Sequence, residues 1–251
     1  MTTGLRFLGA ILPSFRGIDY RVIGRFHKTG GYSDRPIVCG NGFRMSGITS
    51  NAGYVSGINE RPLLQLLSGM IGDKSIVYNI GANIGYTALW LAQNAKTKNK
   101  TISVIAFEPE PENFALHSEN VALNAELDVR CEMLAIGDAD GVIRMVSNGG
   151  GDGAAHVSDD GDLQVDSLTL DSFIARQGPA PDWIFMDVEG FAGECLKGAQ
   201  TLLASKRPRI ALEVHSAQED ECVRSCLKSH NYGKFATQEN IWGRFEFWKP
   251  N

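Results

Sequence analysis

The stretch Ser75-Ile76-Val77-Tyr78-Asn79-Ile80-Gly81-Ala82-Asn83-Ile84-Gly85 decides the fold. Its first six residues form a short β-branched run, long enough for a buried strand. Small residues then make a tight turn, and Ile84 to Ala95 reads as a helix with apolar Leu89, Leu91 and Ala92. A strand, a glycine turn and a helix in that order open a parallel α/β sheet, with the helix N-terminus offering free N–H groups at the turn.

The same alternation runs outward from this unit. Upstream, a helix begins at Pro62-Leu63-Leu64, with Pro at a permitted early position. Downstream, Ile102–Phe107 is predicted as a strand, Pro111–Asn124 as a helix and Leu127–Leu134 as a third strand. A polar turn at Gly137–Gly141 leads to a strand at Val142–Val146. Ser147–Asp162, which contains Gly149-Gly150-Gly151-Asp152-Gly153, reads as a mobile surface loop because glycine loses most entropy on ordering. Trp183–Met186 (strand), Glu189–Ala204 (helix), Ile210–Val214 (strand) and Glu219–Ser229 (helix) continue the pattern, and Phe235–Trp248 closes as two strand-like segments. The fold class expected is α/β, a doubly wound Rossmann-like sheet over residues 61–251 with a small N-terminal extension over residues 1–60.

The extension is rich in Gly, Ser and Arg and lacks long periodic segments. It reads as a short helix and a hairpin packed on or over the main domain, a possible cover for the substrate site. Its apolar run Leu5–Leu12 is too short for a bilayer, which takes about 20 residues, and no small-residue cleavage site follows. No transmembrane segment and no signal peptide are therefore expected. The five cysteines, Cys39, Cys131, Cys195, Cys222 and Cys226, form no C-x-x-C pair, which suits a reducing, cytoplasmic setting and small buried side chains. Hydrophobic residues make up 43% and charged residues 21%, and the net charge of −5 argues against a nucleic-acid partner, which calls for a basic surface.

In a doubly wound sheet ligands bind beyond the carboxyl ends of the strands. That rule singles out the residues just after Ile80, Phe107, Leu134, Met186 and Val214. Gly81, Ala82, Asn83 and Gly85 supply a turn that a ligand can approach closely. Glu108, at the end of the second predicted strand, has the position of a ribose-hydroxyl acceptor, or of a helix-start carboxylate. The three-glycine dinucleotide pattern is absent, and a polar Asn in the turn suits an amino-acid tail better than a diphosphate. The reading favours S-adenosylmethionine and leaves a nicotinamide cofactor as the alternative.

These segments occur in one order and spacing: Asn79–Gly85, Phe107-Glu108-Pro109 with Asn113, Leu170-Asp171, Met186–Gly190 with Leu196–Ala199, and Glu213-Val214-His215. Together they resemble the FkbM family of methyltransferases from about Glu60 to Ser229. The resemblance implies a class I methyltransferase fold, S-adenosylmethionine as donor, and O-methylation of sugars, polyketides or related small molecules. It implies that Gly81, Ala82, Asn83 and Gly85 line the methionine and ribose end of the donor, with Asn79 and Pro109 in the same motifs. Glu108 would hold the ribose, Ala135 would lie against the adenine, Asp187 near the sulfonium, and Glu60 would face the donor. Two departures stand out. The family commonly has an acidic residue where Asn79 stands, and tends to have Glu where Ala192 stands.

Asp187, Glu189, Glu213 and His215 are the candidates for taking the proton of an acceptor hydroxyl. His215 leads, because its ordinary pKa is about 6.5; a core or helix-start histidine is the competing reading, and Glu189 has the alternative of a helix first turn. The same groups offer ligands to a divalent metal such as Mg²⁺, but no compact spacing demands one and none is favoured. His27, His117, His156 and His230 read as surface residues, with His156 in a loop able to fold over substrate. The acceptor is expected to be a small molecule or saccharide. A non-catalytic methyltransferase-like binding module is the reading outside enzymology.

Overall fold

The computed structural model describes residues 36–46, 60–147, 155–239 and 243–251. Five parallel strands form the centre of the molecule: β3 (Ser75–Ile80), β4 (Ile102–Phe107), β5 (Val129–Glu132), β10 (Trp183–Met186) and β11 (Arg209–Val214). An antiparallel pair, β12 (Tyr232–Glu239) and β13 (Arg244–Pro250), completes a seven-stranded sheet in the order β12-β13-β11-β10-β3-β4-β5. The order reverses between β3 and β10, which is the switch point where the expected site lies.

Strands β3, β4, β10 and β11 are buried on both sides, since successive side chains point to opposite faces and both faces are covered. Val77, Val104, Phe185 and Ala211 enter one core with α1 (Arg61–Met70) and α2 (Tyr86–Thr97). Tyr78, Ile105, Ile184 and Ile210 enter the other with α4 (Leu170–Gln177), α5 (Ala192–Lys197), α6 (Gln200–Ser205) and α7 (Ala217–Ser229). The remaining helix, α3 (Pro111–Ala122), packs Leu116 and Val121 against the first core. Helices therefore cover both faces, as the alternating pattern predicts.

Several boundaries differ from the sequence reading. The strand expected to run to Leu134 stops at Glu132. Ala135–Ile136 (β6) leaves the main sheet and pairs with β9 (Leu163–Leu168) beside β7 (Gly141–Val146) and β8 (His156–Val157). The predicted loop Ser147–Asp162 thus holds a strand at His156–Val157; its residues 148–154 lie outside the described residues. Sequence reasoning assigned no element to β9 or α4. The helix expected over Glu189–Ala204 is broken at Gly198-Ala199, and the physical reason is a cap. Asp171 Oδ2 and Oδ1 accept the N–H groups of Thr201 and Leu202 at 2.7 and 2.8 Å, so the first turn of α6 is satisfied from outside.

Within the N-terminal region, β1 (Ile37–Val38) and β2 (Arg44–Met45) form a small hairpin whose Phe43 and Met45 enter the first core. Asn124 accepts the Arg44 N–H at 2.8 Å and donates to the Arg44 carbonyl at 2.6 Å, while Asn120 accepts the Ser46 N–H at 2.7 Å. The Leu5–Leu12 run lies outside the described residues. No helix among the described residues is long and apolar enough to cross a membrane.

Candidate active site

The carboxyl ends of β3, β4, β10 and β11 open, with β6 and β8, onto one cavity of about 450 Å³. From the glycine turn come Gly81, Ala82 and Asn83, from the end of β4 Glu108 and Pro109, and from β6 Ala135. Asp187 and Glu189 follow β10, Glu213 and His215 close β11, and Glu60 precedes α1. Of the sequence candidates, Asn79 and Gly85 are the two that do not reach the wall.

The turn after β3 owes its shape to close packing. Gly81 has φ +76°, and a Cβ there would come within 1.8 Å of the Asp187 carbonyl oxygen, so only glycine lets β3 and the end of β10 lie this close. Asn83 takes φ +48°, which Asn tolerates, and its side-chain oxygen accepts the Ile84 N–H at 2.7 Å. Its own N–H donates to Glu108 Oε2 at 2.7 Å, and the Glu110 N–H donates to Oε1 at 3.0 Å. Glu108 is thereby fixed across the mouth of the turn. Burial pushes its carboxyl up to about 7, against the lowering effect of the two N–H donors.

Asn79 points into the first core instead. It is 0% exposed, and its amide finds no hydrogen-bond partner among the described residues. Strand alternation explains this: Ile80, not Asn79, has the cavity side. Gly85 lies behind the wall, where it has φ +89° and a Cβ would come within 2.4 Å of the His117 ring. His117 is therefore not the surface residue expected from sequence. It is 0% exposed on the inner face of α3, and burial pushes its pKa down to about 4. Two of the sequence's other histidines are described: His230 ends α7, and His156 is brought by β8 to the cavity. His27 lies outside the described residues.

The four groups proposed for proton transfer meet at one place. His215 Nε2 lies 3.4 Å from Asp187 Oδ1 and 3.9 Å from Glu213 Oε2, and its Nδ1 lies 3.6 Å from Glu189 Oε2. Contact with Asp187 raises the imidazole to about 9, with Glu189 and Glu213 adding to the rise against burial. The ordinary value on which its role as a base was argued does not hold here, and the shift favours the protonated imidazole. Burial and the Asp187 charge raise Glu213 to about 8, and the same two causes raise Glu60 to about 7. Glu189 does not belong to a helix first turn. It precedes α5 with φ +47°, next to Gly190 at φ +94°.

Sequence reasoning missed the group that holds this cluster together. Glu219, 4% exposed, accepts the His215 N–H at 2.8 Å and the Ala192 N–H at 3.1 Å. It ties the end of β11 to the start of α5. The sequence holds only a capping pattern, Ser216-x-x-Glu219, in which the Ser216 hydroxyl accepts the Glu219 N–H at 3.1 Å; nothing in it points to His215 or Ala192. Asn113, Tyr86, Thr87, Val157 and Phe191 also line the cavity, and only the fold brings them there.

A seven-stranded sheet of this order, with its cavity at the carboxyl ends of the strands, defines the class: a Rossmann-like class I methyltransferase fold. Residues 79–234, more than half of the 251-residue chain, match the methyltransferase FkbM domain, and the chain belongs to that family of methyltransferases. It is similar to the hexuronic acid methyltransferase AglP of Haloferax volcanii, 24% identical over 185 residues that cover 72% of this chain and 73% of that protein. Among solved structures it resembles the methyltransferase FkbM of Methylobacillus flagellatus KT, with a TM-score of 0.55, 19% identity and 72% of this chain covered. The chain spans 45% of that protein's length. The precorrin-6y C5,15-methyltransferase of Geobacter metallireducens GS-15 follows with a TM-score of 0.50 and 13% identity, covering 76% of this chain and 87% of that one.

Proposed function

We propose that this methyltransferase uses S-adenosylmethionine as its donor and methylates a hydroxyl group of a sugar-like small molecule. The observation that carries the reading is the pairing of a fixed, buried Glu108 at the glycine turn with the Asp187–Glu189–Glu213–His215 cluster in one cavity. Five carboxylates line that cavity, those of Glu60, Glu108, Asp187, Glu189 and Glu213, with no Lys or Arg among the described residues around it. Such a wall fits a donor that carries a sulfonium and an ammonium group and does not fit a diphosphate. S-adenosylmethionine supplies a methyl carbon already activated by its sulfonium.

The chain's own residues then have three tasks. Gly81, Ala82 and Asn83 give backbone approach, and Glu108 accepts the ribose hydroxyls. Val157 and Phe191 contribute apolar wall, and Asp187 lines the same cavity with its backbone packed on the glycine turn. The acceptor hydroxyl is held beside the carboxylates of Asp187 and Glu213. Its proton passes to the Asp187 carboxylate, because His215 and Glu213 are both shifted toward their protonated forms, and His215 serves to orient and balance the pair. The relative from Haloferax volcanii, a hexuronic acid methyltransferase, supports a sugar-like acceptor. Family membership favours methyl transfer over the hydride transfer of a nicotinamide-dependent oxidoreductase. The test is incubation with methyl-¹³C-labelled S-adenosylmethionine and a panel of hexuronic acids, neutral sugars and amines. An O-methyl carbon resonance on a sugar is the expected result; label only on nitrogen or carbon would overturn the acceptor assignment.

A further inference from the structure

We propose that Asn120 is a positioning residue that couples docking of the β1–β2 hairpin to the shape of the glycine turn after β3. One buried amide serves both elements. Asn120 Oδ1 accepts the Ser46 N–H, just past β2, at 2.7 Å, and its Nδ2 donates to the Ile84 carbonyl at 2.9 Å. Ile84 lines the cavity and stands one residue before the N-cap of α2, so its carbonyl has no partner in the helix ladder. A side-chain amide carries both an acceptor and donors, and these two backbone partners fix which end faces which. Asn120 is 0% exposed, so bulk water does not make good a lost bond.

Asn120 is the middle of a buried stripe along the inner face of α3, where residues three or four apart are neighbours. His117, one turn earlier, packs on the turn, since a Cβ at Gly85 would come within 2.4 Å of its ring. Asn124, one turn later, holds the hairpin by accepting the Arg44 N–H at 2.8 Å and donating to the Arg44 carbonyl at 2.6 Å. It also donates to the Asn120 carbonyl at 2.7 Å. A second contact runs beside this stripe. Phe43 of the hairpin meets Tyr86, the first residue of α2 and part of the cavity wall, with ring centroids 5.6 Å apart.

The chain of bonds continues from the turn into the cavity. Asn83 accepts the Ile84 N–H at 2.7 Å and gives its own N–H to Glu108 at 2.7 Å. Ile84 is therefore held by its N–H from the Glu108 side and by its carbonyl from the hairpin side. The hairpin forms the back support of the turn, and a docked hairpin and a bound donor favour each other. By linkage, the factor by which a loosened hairpin weakens the donor equals the factor by which the donor steadies the hairpin. That effect on the donor rests on the S-adenosylmethionine reading; the coupling of hairpin to turn does not.

The experiment is amide hydrogen exchange on the full chain, comparing the wild type with Asn120→Ala and Asn124→Ala, first without ligand. The Asn124 side chain bonds Arg44 and Asn120 and not the turn, so Asn124→Ala loosens the hairpin alone. The expected result in both variants is exchange about tenfold faster or more at residues 37–46 and at residues 81–86, with β10 and β11 at wild-type rates. Wild-type rates at the turn or at the hairpin in either variant, or acceleration spread evenly over the chain, overturn the proposal. If Asn120→Ala does not fold, Asn124→Ala carries the test. S-adenosylhomocysteine is then added, with its affinity read by calorimetry. It should slow exchange at residues 37–46 in the wild type and bind Asn124→Ala more weakly by the same factor, about fivefold or more. Bound S-adenosylhomocysteine that leaves residues 37–46 unaffected overturns the proposal. Absence of S-adenosylhomocysteine binding by the wild type, with the exchange coupling intact, overturns the donor reading and leaves the coupling standing.

Discussion

Glu108 shows how one side chain links local structure to chemistry. Its two oxygens accept the backbone N–H groups of Asn83 and Glu110, which fixes it where the ribose of the proposed donor would meet it. Glu108→Ala should weaken S-adenosylhomocysteine by about tenfold or more, since each hydrogen bond to a charged group contributes about 1.5–3 kcal/mol. Calorimetry on the folded variant checks this, and an unchanged affinity would remove Glu108 from the donor site. Its pH behaviour has a definite sign. A carboxyl raised in the folded state to about 7 adds stability to the free protein below its unfolded pKa of about 4.5, and that contribution is lost as pH rises to about 7. The ionised form is the better acceptor, so S-adenosylhomocysteine affinity should rise with pH up to about 7 and level off above it. In Glu108→Gln that dependence should flatten; a wild-type affinity that falls over the same range would contradict the assignment. For His215, which orients and balances the acid pair, replacement by Ala should lower kcat by about 10²-fold with donor affinity nearly unchanged. Parallel loss of donor affinity, rate and melting temperature would instead mark it as a core residue.

At the scale of elements, the β11–α7 corner organises the site. Glu219 holds the His215 and Ala192 N–H groups, and without it two backbone donors at the end of β11 and the start of α5 lose their acceptor. Glu219→Ala should destabilise the fold by about 3 kcal/mol or more in urea denaturation; a loss under about 1 kcal/mol would show that the corner is held otherwise. Such a corner was hard to read from sequence, because Glu219 looks like any acidic residue in a helix first turn. The elements that were legible are those whose burial writes itself into composition. The strands β3, β4, β10 and β11 are near-continuous apolar runs, and the topology rule then names Gly81, Ala82, Asn83, Glu108, Asp187, Glu189, Glu213 and His215 as residues of their carboxyl ends. Strand β9 was missed because Leu163-Gln164-Val165-Asp166-Ser167-Leu168 is half exposed and alternates, a weaker pattern than a core run. The α5–α6 break was missed because its cause, Asp171, comes from another helix. Asn79 and Gly85 were placed in the site by the resemblance to the family's motif, whereas strand alternation and packing on His117 turn them away from the cavity.

For the whole molecule, the account holds that one doubly wound sheet carries a methyltransferase site at its switch point, with both cores serving to hold four of its strand ends around a single anionic cavity. The hairpin of β1 and β2 shows part of the N-terminal region packed into the first core, tied by Asn120 and Asn124 of the α3 region. The surface that selects the acceptor is the least legible part, because Glu60, β8 and the strand ends come from distant places in the chain. The donor is what most directly decides the account, since a nicotinamide cofactor would need the diphosphate contacts that a wall of carboxylates opposes. The measurement is a calorimetric titration of the wild-type chain with S-adenosylhomocysteine and, separately, with NADH. The account predicts saturable binding of S-adenosylhomocysteine at one site per chain and no measurable heat with NADH; saturable NADH binding with no response to S-adenosylhomocysteine would contradict it.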